Sequence, residues 1–420
     1  MPLLLFLLMV FVALPDTVHA APEPYGKRFR LATGGAARVE GIAEPLVATS
    51  PTELATMTAK LLQQVEVEEQ NLGPYAPVLA ETFGDLSRLL ERQGLFDEAQ
   101  RYRERALHLV RVNEGLYSSR QGPLVRAMLD SLREREAFDE LDGRYAYFFR
   151  LYGAGRPPFN DVRWAATLEY LSWQREAYLR EIDRDPRRRL IDLYAEHQAL
   201  LDVLVAETPI NAGRLRDASL SFVQTLYLIS DLEPPRDLTL SARSDQIRRE
   251  DPRDFDLLRE RLENLQRTLR GRGRSILTDA LALTPASEGD VRAELQLALG
   301  DWFLWQGSTS SAKEAYAALW REVMGTELED RVASWFADPV PLPQPEAFVL
   351  PLDSVGPPLT ARIDVSESGR MTGFASTGRE DGEVKRLRRL LRDGRFRPVY
   401  RGGVPTSVER WERRWRLGTP

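Results

Sequence analysis

The 420-residue chain has no cysteine. That excludes disulfides, thiolate nucleophiles, Cys-ligated zinc, iron–sulfur clusters and a lipidated N-terminal cysteine. Histidine is scarce: only His19, His108 and His197. No HExxH pair, GxxxxGK[ST] phosphate loop or GxSxG nucleophile turn occurs. Lysine occurs four times, at Lys27, Lys60, Lys313 and Lys385, so arginine carries nearly all the positive charge. This bias reads as a GC-rich coding sequence, and no nucleic-acid partner is expected. Long apolar runs are missing except at Leu3 to Leu14. That run is shorter than the ~20 residues needed to span a bilayer. No Lys or Arg precedes it, but Val18 and Ala20 fit a cut after Ala20. Residues 1–20 are therefore expected to be a cleaved signal peptide. The mature chain is expected to be periplasmic, without a transmembrane span.

What is present is an ordinary globular composition, 43% hydrophobic and 29% charged, with length for two or three structural units. Residues 21–50, with Pro22, Pro24, Gly34, Gly35, Gly41 and Pro45, read as an extended lead-in. Residues 51–337 read as helical, with apolar residues three and four apart and Leu, Ala, Glu and Arg dominant. Gly and Pro punctuators cut this region into about a dozen helices, which suggests helical hairpins in series. Gly271-Arg272-Gly273-Arg274 lies in a helical stretch without a preceding strand. It predicts a helix break, not a dinucleotide loop. His108 and His197 are expected to be surface or packing residues.

Residues 80–113 pair two helices. Phe83, Leu86, Leu89 and Leu90 form one apolar stripe, Gly94 stops that helix, and Asp97 is expected to cap the next. Ala99, Tyr102 and Ala106 face back, with Ala99 at the closest crossing. The run resembles the tetratricopeptide repeat, with Phe83, Leu86, Gly94, Phe96, Ala99 and Ala106 at the family's positions. Ser87, Leu90 and the missing final proline depart from it. Residues 293–326 match the same pattern at Leu299, Gly300, Gly307, Ala312 and Tyr316. Residues 122–155 are a degenerate copy, with Val125, Met128, Leu129 and Phe138, and with Leu141 at the crossing, 42 residues after Ala99. The family period is about 34 residues, so a longer connection is expected at NEGLYSSRQ. Residues 160–283 show no repeat match.

The resemblance implies that the first helix of each pair lines a concave binding face. That places Glu81, Gly84, Arg88, Glu91 and Arg92 on one unit, and Glu294, Leu297, Asp301, Leu304 and Trp305 on the last. These residues do not reproduce the family's carboxylate clamp, so no peptide-tail clamp is expected. The aromatic runs at 145–149 and 164–178, and Trp302, Trp305, Trp320 and Trp335, read mainly as helix packing.

Seven prolines crowd residues 338–358, which makes 338–357 a semi-rigid linker. Leu359, Ala361, Ile363 and Val365 then alternate with polar residues as in a half-buried strand. A turn at Ser368-Gly369, a return strand over 371–375, an amphipathic helix over 380–393 and a last strand near 407–417 follow. This order resembles the TonB carboxy-terminal domain. The matching residues are Ile363-Asp364-Val365, Ser368-Gly369-Arg370, Arg395-Phe396-Arg397-Pro398 and Gly403-Val404-Pro405. The family's glycine-rich lead and transmembrane anchor are missing, so force transmission to outer-membrane receptors is not implied. Residues 358–420 carry fifteen basic and eight acidic residues, a net of +7, which leaves −12 on residues 21–357.

The expected fold is mainly α, a tetratricopeptide-like helical-hairpin solenoid over 51–337 followed by a small α+β (ββαβ) domain over 358–420. The expected function is a non-catalytic exported scaffold for protein or peptide partners, with no cofactor, metal or catalytic residue. The basic C-terminal domain is expected to meet anionic envelope components or to dock on the acidic helical body. Two alternatives stay open. One is a TonB-like protein whose C-terminal domain is the main binding element. The other is an enzyme of unrecognised class, which a pocket of carboxylates around His197 or Arg187 to Arg189 would favour.

Overall fold

A computed structural model describes residues 50–183, 186–232, 252–343, 359–376 and 382–415. The expected signal peptide, nearly all of the lead-in and most of the proline-rich linker lie outside these residues. Among the described residues there are thirteen helices, twelve before the β-strands of the C-terminal region and one among them. None is long and apolar enough to cross a membrane.

The first helix, α1 (Pro51–Leu72), starts on a reciprocal cap. The Ser50 Oγ accepts from the Glu53 N–H at 3.2 Å, and the Ser50 N–H donates to the Glu53 carboxylate at 3.1 Å. Five helices follow as α2 (Leu79–Arg92), α3 (Phe96–Glu114), α4 (Gln121–Glu134), α5 (Phe138–Leu151) and α6 (Asp161–Leu179). Then come α7 (Pro186–Ala206), α8 (Ala212–Asp231), α9 (Pro252–Leu283), α10 (Gly289–Trp305), α11 (Thr309–Val323) and α12 (Glu329–Trp335). Each helix packs on its sequence neighbours.

Three hairpins share one turn. The pairs α2–α3, α4–α5 and α10–α11 are each joined by three residues whose middle one is left-handed: Gly94 at φ +76°, Glu136 at +56° and Gly307 at +82°. In each, the following N–H reaches the carbonyl five residues back: Leu95 to Leu90, Ala137 to Leu132 and Ser308 to Phe303, at 2.9–3.0 Å. This is the Schellman closure, which satisfies carbonyls that the helix end leaves open. Five residues past each turn comes the crossing residue, Ala99, Leu141 or Ala312, and all three are buried. At the last crossing a Cβ on Gly300 would lie 2.3 Å from the Tyr316 ring, so only glycine lets that ring lie flat on α10. The connections between pairs also repeat. Gly73 and Gly115, 42 residues apart, cap α1 and α3 with φ of +86° and +96°. Their N–H groups donate to the Glu69 and Arg111 carbonyls.

Two details correct the expectations. Asp97 does not cap α3: Leu95 occupies the N-cap without a side-chain bond, and Asp97 stands in the first turn, where its charge complements the helix dipole. The break expected at Gly271 to Arg274 does not occur, because α9 runs through it. Gly273 serves helix approach. Its absent Cβ would lie 2.2 Å from Trp302, whose Nε1 donates to the Arg270 carbonyl at 3.1 Å.

Between the second and third matched pairs the series changes character. Helix α8 packs against α6, α7, α9 and α10, and residues 221–229 are buried without a gap. A stretch buried on every side, Ser221, Gln224 and Thr225 included, belongs inside a cluster, not in one layer of a hairpin stack.

In the C-terminal region β2 (Leu359–Val365), β3 (Met371–Ser376) and β7 (Val408–Trp415) form an antiparallel sheet in the order β3-β2-β7. Helix α13 (Gly382–Asp393) buries Val384, Leu387, Leu390 and Leu391. The inward Ala361, Ile363 and Val365 meet Leu387, Leu391 and Phe396, which completes the expected ββαβ order. Two short ladders are added. Strand β1 (Val340–Pro341) pairs with β4 (Phe396–Arg397), and β5 (Val399–Arg401) pairs with β6 (Val404–Thr406).

Candidate partner-binding surfaces

The last hairpin and the C-terminal region are one packed body. Leu297, Leu304, Ala312, Tyr316, Leu319 and Trp320 share a core with Phe336, Leu342 and Tyr400. At its centre Asp301 and Arg397 pair with almost no exposure, 0% and 3%. The Arg397 Nε donates to Asp301 Oδ1 at 2.8 Å, a second guanidinium nitrogen donates to Oδ2, and Nη1 donates to the Trp335 carbonyl at 3.1 Å. The Tyr316 hydroxyl donates to the same Oδ1 at 2.7 Å. The backbone adds bonds from Leu342 N–H to the Arg395 carbonyl, Phe396 N–H to Gly369 and Tyr400 N–H to Phe336. Gly369, at φ +71°, is pressed so close to the Phe396 carbonyl that a Cβ would lie 2.0 Å from its oxygen.

The expected binding residues of the last unit are therefore occupied within the chain. Leu297, Asp301 and Leu304 follow one another at helical spacing on α10, all buried, and Asp301 is the seat of Arg397. No external partner reaches them, which corrects their expected exposure. Trp305 is half-buried, its ring 5.0 Å from Trp302 and 4.9 Å from Tyr227. Glu294 pairs with Arg331 at 2.6 Å and Arg216 at 3.5 Å. In the sequence Arg397 is one residue of the Arg395-Phe396-Arg397-Pro398 motif, and nothing local signals that it finds a carboxylate 96 positions earlier.

On the first unit the expected residues stay nearer the surface but are not idle. Glu81 is exposed and bonds to Arg120 at 2.8 Å. Arg88 pairs with Asp85 on its own helix. Glu91 binds the fully buried Arg103 of α3 and so ties the hairpin together. Arg92 is exposed at the end of α2. Of the residues expected to pack, Phe83, Leu86, Ala99, Ala106, Leu299, Gly300, Ala312 and Tyr316 are buried, Phe96 is half-buried, and Gly94 and Gly307 lie in the turns.

Ion pairs also link α4 to α6. Arg133 of α4 meets Glu176 of α6 at 2.8 Å, and Arg126 meets Glu169, to which the Tyr145 hydroxyl also donates at 3.1 Å. Burial followed by the Glu169 charge pushes the Tyr145 hydroxyl well up.

Several exposed apolar residues lie on or beside the repeated connections. Leu72, Tyr75, Val112, Leu116 and Tyr117 are each more than half exposed. Tyr75 and Tyr117 stand two residues after Gly73 and Gly115, so the 42-residue repeat presents a tyrosine twice. The Asn113 Nδ2 donates to the Tyr75 carbonyl at 3.0 Å, which joins the two connections side by side, and His108 lies against the Tyr75 ring. A second exposed feature is the outer face of α13, with Lys385, Arg388, Arg389 and Arg392.

The residues named for the enzyme alternative are engaged within the chain. His197 is buried, with its two nitrogens on the Leu193 carbonyl and the Ser221 hydroxyl. Arg189 is held by Asp142 at 2.9 Å and Asp183 at 2.8 Å. Among the described residues no group of three or more His, Asp or Glu side chains is placed to hold a metal ion. No protein-family model and no curated protein matches the chain.

Proposed function

We propose that the protein is an exported, non-catalytic scaffold of the bacterial envelope that holds protein partners on its helical hairpins. In this reading the 42-residue units are tetratricopeptide-like, and the C-terminal region closes the solenoid at its far end. The observation that carries it is the exposure of Leu72, Tyr75, Val112, Leu116 and Tyr117 on or beside two copies of one connection. Exposed tyrosines repeated on equivalent connections suit binding anchors, since tyrosine is enriched at interface hot spots. The inner face of the last hairpin is not the partner site, because Arg397 and Tyr400 fill it. Crosslinking from the native envelope with wild type and Tyr75→Ser/Tyr117→Ser tests the reading. A specific partner lost in the double variant is expected, and equal capture by both proteins refutes it.

A second reading makes the TonB-like region the binding element, by strand addition to a free sheet edge. Strand β7 favours it, since among the described strands β7 pairs with β2 alone. In that case capture survives the tyrosine substitutions and is lost on altering β7. The basic face of α13 would add attraction to anionic envelope components.

A further inference from the structure

The two glycines in the middle of α9 face opposite ways. Gly273 turns inward, where its missing Cβ makes room for the Trp302 ring. The Trp302 Nε1 and the Gln306 side chain both donate to the Arg270 carbonyl, at 3.1 Å and 3.2 Å, and hold this part of α9 on α10. Gly271 lies about 200° round the helix from Gly273. It is exposed, and a Cβ there would meet nothing within 4 Å. Neither packing nor a positive φ requires glycine at 271. Glycine inside a helix is nevertheless less favourable than alanine.

Three exposed arginines surround this glycine. Arg267 is one turn before it, Arg274 one turn after it, and Arg270 adjoins it. Residues 264–278 hold four arginines and no acid. Arg105 of α3, Arg126 and Arg133 of α4, Arg144 of α5 and Arg292 of α10 each reach a carboxylate. Arg267, Arg270 and Arg274 reach none among the described residues. Arg267 donates within its own helix, to Asn264 Oδ1 at 2.6 Å and the Glu263 carbonyl at 3.4 Å.

We propose that this face of α9 binds an acidic segment of a protein partner, with a carboxylate seated over Gly271 among the three guanidinium groups. The missing Cβ lets the carboxylate come close enough to the helix for the arginines before and after it to reach it. A guanidinium fork matches a carboxylate through two parallel bonds. The rest of the chain selects the partner's shape. Residues 21–357 carry a net −12, so a broad anionic plane such as a bilayer also meets the acidic body and is repelled. A narrow acidic peptide meets the arginines first, and charges beyond about 8 Å are largely screened at physiological salt. This surface is separate from the tyrosine connections and does not depend on them.

The test uses the full chain and a fluorescein-labelled peptide of alternating Glu and Ser, at about 50 mM salt. Arg267→Gln/Arg270→Gln/Arg274→Gln is expected to weaken binding by roughly tenfold or more. These side chains are exposed and Gln is a good helix former, so the variant should melt within about 2 °C of wild type. Lys385→Gln/Arg389→Gln/Arg392→Gln removes the same charge from the outer face of α13 and is expected to leave binding within about twofold. Gly271→Ala is expected to raise Tm by roughly 2–3 °C and yet weaken binding about three- to fivefold. A gain in stability with a loss of binding is not what a purely structural glycine gives. No peptide binding by wild type, equal loss in the α13 variant, or wild-type binding by either the arginine variant or Gly271→Ala overturns the proposal. So does binding of phosphatidylglycerol vesicles that the arginine substitutions abolish.

Discussion

Replacing Arg397 by Met should remove more stability than its position in a short strand suggests. The guanidinium makes two bonds to Asp301 and one to the Trp335 carbonyl, with both partners sealed from water. Without it, the Asp301 carboxylate loses its guanidinium in a 0% exposed site, with the Tyr316 hydroxyl still donating to it. Breaking one side of a buried pair costs about 3–5 kcal/mol, because the remaining charge is left uncompensated. Removing both charges together should cost much less, about 1–2 kcal/mol, since Leu and Met fill similar volume in a site already walled by Phe336, Tyr400 and Trp335. Urea denaturation of wild type, Arg397→Met, Asp301→Leu and the double variant, followed by tryptophan fluorescence, closes the cycle. Trp320 and Trp335 report from the same cluster. The expected coupling is at least about 2 kcal/mol. A single variant that costs under about 1 kcal/mol, or a double variant that costs the sum of the two, would show that this contact does not seat the C-terminal region.

Ala99→Glu should destabilise the first hairpin by several kcal/mol, on the order of a buried unpaired charge, because Ala99 is fully enclosed by Leu86 and Leu90; a thermal melt equal to wild type would contradict this placement. Glu136→Gly should stabilise by about 1 kcal/mol, since Glu136 sits at φ +56° where its sister turns use glycine; unchanged urea midpoints would show that the turn carries no strain. Burial, with Arg175 adding to it, lowers His197 to about 3 against an ordinary 6.5. The unfolded chain therefore binds this proton more readily, and the contribution is present above pH 6.5 and lost as pH falls from there toward 3. At roughly 1.4 kcal/mol per pH unit, His197→Gln should show about 2–3 kcal/mol less loss than wild type between pH 7.5 and 4.5. Equal losses in denaturation at the two pH values would place His197 in contact with water.

How much was legible in advance follows the range of the interactions. The hairpin at 80–113 was readable because its signals are local: an apolar stripe, a glycine that can take positive φ, and a small residue five positions later. The second copy was readable only as degenerate, since Glu136 replaces the glycine and Leu141 the alanine; the fold keeps the same turn there because packing of Leu132, Leu141 and Tyr145 outweighs a local strain of about 1–2 kcal/mol. Gly271 and Gly273 misled for the opposite reason. A glycine pair reads as punctuation until one knows that Trp302, some thirty residues on, lies against it.

The sequence by itself determined the helical class, the hairpin turns, the ββαβ order of the C-terminal strands and the charge division between body and tail. Each of these depends on residues within one or two turns of each other. Only the tertiary structure decided which faces are free. Leu297, Asp301 and Leu304 look like a helical binding face in one dimension, and become an interior once Arg397, 96 residues after Asp301, and Tyr400 arrive. Burial and counter-charge are properties of that arrival, and no local pattern encodes them. The same holds for Arg175, one arginine among many in the sequence, which the fold encloses against Ser221.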